Sequence, residues 1–480
     1  MFEYKKIALA VSLVLMTTAC SDAAKDSTTN KAAETQTASA ENTNQKSEQT
    51  ESEKANQLFE DIFMENVMRS PMYQSYLGIK DDQDKWDDIS DEQAKEDLAL
   101  TKKHLEQVKA IDESKLNEQT KISWMLMKQK LENEIADFKW RHHNYPVNQM
   151  FGLHSSVASL LINQHRISSV DDAEDYISRL NGLPELFDQL ADNLQLRAEK
   201  GIIAPKFVYP YVISDSKNII TGAPFDDGEP SALWEDFTSK VEQLELEENQ
   251  REELLASAEK AMLESVKPAY QDLITVVEGI AEQATTKDGA WKFPDGEAFY
   301  NNALQRTTTT DLTAEEIHEV GLSEMERIHE EMRAIMEEVG FEGTLQEFFV
   351  HMRNSDEFIY PNTEEGRKRY LDEATAYIDN MRERLDELFI NKPKAGLIVK
   401  AVEPFREKSA GKAFYQQPSM DGSRPGTYYA NLYDMEAMPT YQMEALAYHE
   451  GIPGHHMQIA IQQELEGIPK FRRFGRYTAY

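Results

Sequence analysis

From about residue 53 onward, apolar residues recur at three- and four-residue spacing, the period of a helix with one buried face. LFEDIFMENVM (58–68), DLALTKKHLEQVKAI (97–111) and ISWMLMKQKLENEIADF (122–138) each predict such a helix. YISRLNGLPELFDQLADNLQLRAEKGI (176–202) predicts helical segments interrupted near Gly182 and Pro184, because proline removes a backbone donor and clashes with the preceding turn. Residues 203–230 mix Pro, Gly and β-branched residues and predict a loop with an irregular extended piece. Residues 231–283 return to helical spacing, with a kink or break at Pro268. Thr313-x-x-Glu316 is a capping-box pattern opening an amphipathic helix with Ile317, Val320, Met325, Ile328, Met332, Ile335 and Met336 on its apolar stripe. Residues 364–390 predict another long amphipathic helix. The pattern then changes. AGLIVKAVE (395–403) predicts a strand, and KAFYQQPSMDGSRPGTYYANLYDM (412–435) two strands joined by a turn. Pro439 suits the first turn of a helix running through Tyr441, Leu446 and His449. The fold class is therefore mainly α, multi-helical, with a small β-sheet just before a helix that carries histidine.

The amino terminus reads differently. Lys5 and Lys6 precede an apolar run from Ile7 to Met16, too short to span a bilayer, and Thr17-Thr18-Ala19-Cys20 follows. Residues 1–20 thus read as a signal peptide, and small residues before the chain's single cysteine resemble a bacterial lipobox with Cys20 as the lipidation site. Ser21 rather than Asp after the cysteine favours the outer membrane by resemblance to lipoprotein sorting rules. Residues 21–52 are Ser-, Thr-, Ala-, Asn-, Gln-, Glu- and Lys-rich and read as a disordered tether. The remainder divides into an N-terminal helical region, 53–286, and a helical and small-sheet region, 287–480. The expected location is the cell envelope, on the periplasmic face of the outer membrane, with the N-terminal lipid as the sole membrane contact. A formal net charge of -35 repels phosphate backbones and argues against nucleic acid as a partner.

Three of the chain's eleven histidines fall within HEGIPGHH, 449–456. His449-Glu450 begins like H-E-x-x-H, in which two histidines one helical turn apart hold zinc and the glutamate is general base. Position 453, where the second histidine belongs, is Pro. On a straight helix His455 would lie about 240° round from His449, and His456 about 10 Å along the axis, so neither pair could share one ion. Either the Pro453-Gly454 pair distorts the helix and folds a histidine back onto the metal, or it merely ends one helix and begins another. A two-residue bulge would bring His455 to the place of the missing ligand. By contrast, His318 and His329 are three turns apart, about 16 Å, and read as solvated or packed.

HEGIPGHHMQ (449–458), SRPGTYYANLYD (423–434), LTAEEIHEVGLSEM (312–325) and HHNYPVNQMFGLHS (142–155) resemble the bacterial family named as domain of unknown function 885, many of whose members are lipoproteins. That family is grouped with zinc metallopeptidases. The resemblance implies a two-lobed, mostly helical peptidase fold, zinc held by His449 and one of the pair His455 and His456, His455 preferred, and Glu450 polarising the attacking water. It also implies a cleft-lining strand, Gly426 to Asn431, that could pair with substrate backbone, with Arg424, Tyr428 or Tyr429 touching substrate or oxyanion. A third ligand is expected from a Glu-Gly-Trp-Ala-Leu-Tyr segment shortly after the motif. The chain stops at Tyr480, where that segment should begin, and Glu464 and Glu466 lie too far along the same helix to replace it. The expectation is thus a zinc-dependent hydrolase, truncated at its C-terminus, with apolar surface on neighbouring helices left uncovered; the expected partner is a small peptide substrate. The alternative is a non-catalytic envelope binding lipoprotein, or an inactive truncated fragment.

Overall fold

The structure, a computed structural model, describes residues 49–475; the signal peptide, Cys20 and most of the tether lie outside the described residues. A capping box formed by Thr50 and Glu53 opens the first helix, Glu51–Met68, so the last two residues assigned to the tether are helical. Phe59, Ile62, Phe63 and Val67 of this helix share a core with Leu105 and Val108 of the helix Asp91–Lys109 and with Met127 and Leu131 of Glu118–Asp137. Phe471 and Phe474, from the short helix Lys470–Phe474, complete that core, Phe471 edge-on to Phe59 with ring centroids 5.8 Å apart. Residues from Gln49 onward accordingly form one compact unit.

A second core joins six helices: Leu153–Asn163, Val170–Glu199, Tyr209–Ile219, Ala232–Glu242, Glu248–Ala261 and Lys267–Ala281. Val170–Glu199 runs without interruption through Gly182 and Pro184, against the break expected there. It buries Tyr176, Leu180, Leu183, Leu186, Phe187 and Leu190. Each large apolar side chain contributes about 1.5–3 kcal/mol, which together exceeds the roughly 3 kcal/mol cost of one internal proline. Trp86 lies against Gly182 and donates its indole N–H to the Arg179 carbonyl at 2.8 Å, in the turn just before the proline. Tyr209–Ile219 is likewise a helix where a loop was expected. Pro210 occupies its first turn, and Tyr209, Val212, Ser216 and Ile219 are buried at helical spacing, so the burial period overrides the β-branched composition. Pro268 falls in the first turn of Lys267–Ala281, after a π-helical turn at Met262–Val266.

The third core holds the sheet. Strands β1 (Leu397–Ala401), β2 (Ala413–Gln416) and β3 (Gly426–Ala430) lie in the order β1-β3-β2, β1 parallel and β2 antiparallel to β3. Alternation along β3 sends Tyr428 and Ala430 into a cluster with Tyr370 and Ile378 of the helix Glu364–Arg384 and with Met443 and Ala447 of the helix Thr440–Glu450. The architecture is mainly helical with one small three-stranded sheet ahead of the histidine-bearing helix.

The capping box at Thr313 and Glu316 forms, and the helix runs Ala314–Glu338. Of its seven predicted apolar-stripe residues only Met336 is buried; Val320 (56%), Met325 (52%) and Ile335 (50%) are exposed. His318 is exposed and His329 packs against Phe349, ring centroids 6.4 Å apart. Among the described residues no helix is long and apolar enough to cross a membrane.

Candidate metal centre

The helix Thr440–Glu450 buries Met443, Ala447 and Glu450, one face at i, i+4 and i+7. Glu450 is thus the polar end of an apolar stripe. His449, one residue earlier and about 100° round, is exposed. The helix ends at Gly451, and a second helix, His455–Glu464, begins after Ile452, Pro453 and Gly454. The Ile452–Pro453 peptide bond is cis. The chain therefore does end one helix and start another, rather than bulge within a continuous one. The restart nevertheless lands on the last turn of the first helix: the Gly454 N–H donates to the Tyr448 carbonyl at 2.9 Å, and the His456 N–H to the Gly451 carbonyl at 3.1 Å. Those bonds satisfy carbonyls that a helix end leaves open. A Cβ at Gly454 would lie 2.0 Å from the His449 carbonyl oxygen, so only glycine permits this approach.

The fold-back brings His455 to His449, with ring centroids 4.6 Å apart and planes at 76°. One ligand atom from each of His449, Glu450 and His455 lies within 4.8 Å of the others. Glu450 is buried, and its Oε2 makes no hydrogen bond among the described residues. Burial raises its carboxyl pKa, partly offset by His449. A buried carboxylate oxygen without a protein partner, beside two imidazoles, fits a metal-bound water as the missing partner.

His456 is placed apart from this cluster. It is fully buried, with Nε2 3.0 Å from the Ala395 carbonyl oxygen and Nδ1 3.0 Å from the Tyr415 hydroxyl. Both ring nitrogens are engaged, which leaves none for a metal. Burial lowers its pKa to about 4.

The residues expected along the cleft are also dispersed. β3 is the central strand with partners on both sides, so it has no edge to offer a substrate backbone. Tyr428 is fully buried beneath the site. Burial, with the Tyr370 hydroxyl and the Glu450 carboxylate adding to it, drives its phenol pKa far up. Tyr429 points to the other face, stacks on Phe414 and donates to Asn163 Oδ1 at 2.9 Å. Arg424 donates to the Tyr76 carbonyl at 2.7 Å, at the end of the helix Pro71–Leu77. Asn431 holds the Glu407 and Ala410 carbonyls at 2.7 and 3.0 Å. These are packing and chain-tying roles. Gly426 lies against the contact between His456 and Tyr415 and not against the cluster itself: a Cβ there would lie 2.6 Å from both His456 Nδ1 and the Tyr415 hydroxyl. Glu464 accepts from the Lys394 N–H at 2.7 Å and is committed to that loop. Tyr415 was missed from sequence. Its sole signal is the alternation that sets it opposite Tyr428, and that needs the strand register. An open depression of about 650 Å³, lined by Tyr360, Arg369, Asp434 and Thr440 among others, lies at the N-terminal end of the helix Thr440–Glu450, away from the histidines.

A family model described as "Bacterial protein of unknown function (DUF885)" matches residues 71–480. The crystal structure of "the putative lipoprotein from Colwellia psychrerythraea" superimposes with a TM-score of 0.80 at 24% identity, over 89% of this chain and 75% of that one. A structure of "a putative lipoprotein of unknown function from Shewanella oneidensis" gives 0.54 at 14% identity, over 88% and 74%. At these identities the likeness is one of fold. No curated protein matches the chain.

Proposed function

The chain belongs to the DUF885 family of bacterial proteins, and from that premise we propose that it is a zinc-dependent metallopeptidase of the cell envelope acting on small peptides. The observation that carries this reading is the convergence of His449, Glu450 and His455 across a helix break, with the buried Glu450 Oε2 left for a ligand. His449 and His455 would hold the ion. Zinc bound there supplies Lewis acidity and lowers the pKa of its water to about 7. Glu450 takes the proton of the attacking water and returns it to the leaving amine; its burial, by raising the carboxyl pKa, suits it to both transfers. A peptide bound as an added strand would need a free edge. Of the two edge strands, β2 carries Tyr415, whose ring lies 6.3 Å from that of His455.

Cys20 would be lipidated and anchor the protein at the periplasmic face of the outer membrane. The charged, apolar and small-residue order of residues 5–20 supports lipidation, as does the lipoprotein description of both similar structures; the choice of outer membrane rests on Ser21 alone. The test is release of amines from a mixture of short peptides. Hydrolysis should stop on chelation and return with added zinc. Stoichiometric zinc without hydrolysis would favour the binding-lipoprotein or inactive-fragment alternative.

A further inference from the structure

Resting on that reading of the centre, we propose that His456 is its positioning residue, clamping the start of the second helix to the sheet through Tyr415 so that His455 is held against His449. The Ala395 carbonyl can only accept, so Nε2 of His456 carries the hydrogen of the 3.0 Å contact. That leaves Nδ1 of the neutral ring to accept from the Tyr415 hydroxyl, also at 3.0 Å. The His456 backbone N–H meanwhile spans the helix break to Gly451 at 3.1 Å. One residue thus ties the helix start to the segment before β1, to β2 and to the preceding helix. Gly426 in β3 leaves the room these groups occupy.

The clamp reaches the candidate ligand through Tyr415. Held at its hydroxyl, the phenol ring lies close to parallel with the His455 ring, 22° between planes and 6.3 Å between centroids. His455 in turn faces His449 at 4.6 Å. Histidine ligands must be held to within about 0.5 Å of productive geometry, and loss of an orienting partner lowers metal affinity about 10–100-fold. The doubled histidine therefore divides two tasks: His455 ligates and His456 fixes where it stands.

The test is Zn²⁺ titration of the full chain against a chromophoric chelator, with Tyr415→Phe and His456→Gln beside the wild type. Thermal unfolding of the metal-free forms checks that each variant folds. Tyr415→Phe removes one hydroxyl from a ring that stays in place; glutamine keeps a donor for Ala395 but removes the ring acceptor. The expected result is one zinc per chain in all three, bound about tenfold or more weakly in both variants at similar thermal stability. Wild-type affinity in both variants would overturn the positioning role and leave the metal centre standing. Loss of stoichiometric zinc in His456→Gln, with its retention in Tyr415→Phe, would make His456 a ligand and overturn the proposal. A wild type that binds no zinc would remove the centre and the clamp together.

Discussion

Substituting Glu450 with Gln is expected to lower peptide hydrolysis by about 10³-fold while zinc content stays at the wild-type level. The side chain sits at the buried end of the stripe formed by Met443 and Ala447, and glutamine has nearly its shape, so packing should survive. What goes is the basic oxygen. Oε2 has no protein partner among the described residues, so it is free to take a proton from water, and an amide cannot. Steady-state kinetics beside metal analysis reads both quantities. Unchanged hydrolysis would remove Glu450 from the reaction; lost zinc would make it a ligand instead of a base.

The second large effect is expected from Gly454→Ala. The added Cβ would lie 2.0 Å from the His449 carbonyl oxygen and 2.4 Å from that of Tyr448. Both are backbone atoms, so no flexible side chain can swing aside. The helix start must move away from the preceding turn and take His455 with it. Zinc affinity should fall by about two orders of magnitude or more, and stability by roughly 3 kcal/mol, the upper range for forcing atoms into a packed site. Gly279→Ala is the control. It sits within the helix Lys267–Ala281 with nothing near its Cβ, and should gain up to about 1 kcal/mol with zinc binding unchanged. Chelator competition and urea unfolding measure the pair.

Local pattern made much of this molecule legible. The capping box at Thr313 and Glu316, the long helices, the three strands and the start of the histidine-bearing helix follow from apolar period and turn chemistry. Where reading failed, burial outweighed a local breaker. Pro184 lies inside a helix because six large side chains on one face hold it there, and Tyr209–Ile219 is helical despite its Pro and β-branched content. The geometry of the break could not be read at all. Spacing required a distortion between His449 and His455, but how Gly454 closes onto the Tyr448 carbonyl depends on torsions that composition does not fix. The roles of His456, Tyr415, Arg424 and Tyr429 depended on contacts far apart in sequence: Ala395 for His456, Tyr76 for Arg424, Asn163 for Tyr429. β3 looked like a cleft-lining strand until its two neighbours placed it at the centre of the sheet.

Whether the helix break builds a metal centre is read from the zinc content of residues 21–480, loaded with zinc and desalted, beside His449→Ala and His455→Ala. A helix break that builds a metal centre predicts about one zinc per wild-type chain and its loss in each variant. Absence of zinc from the wild type, or full retention in His455→Ala, would contradict it.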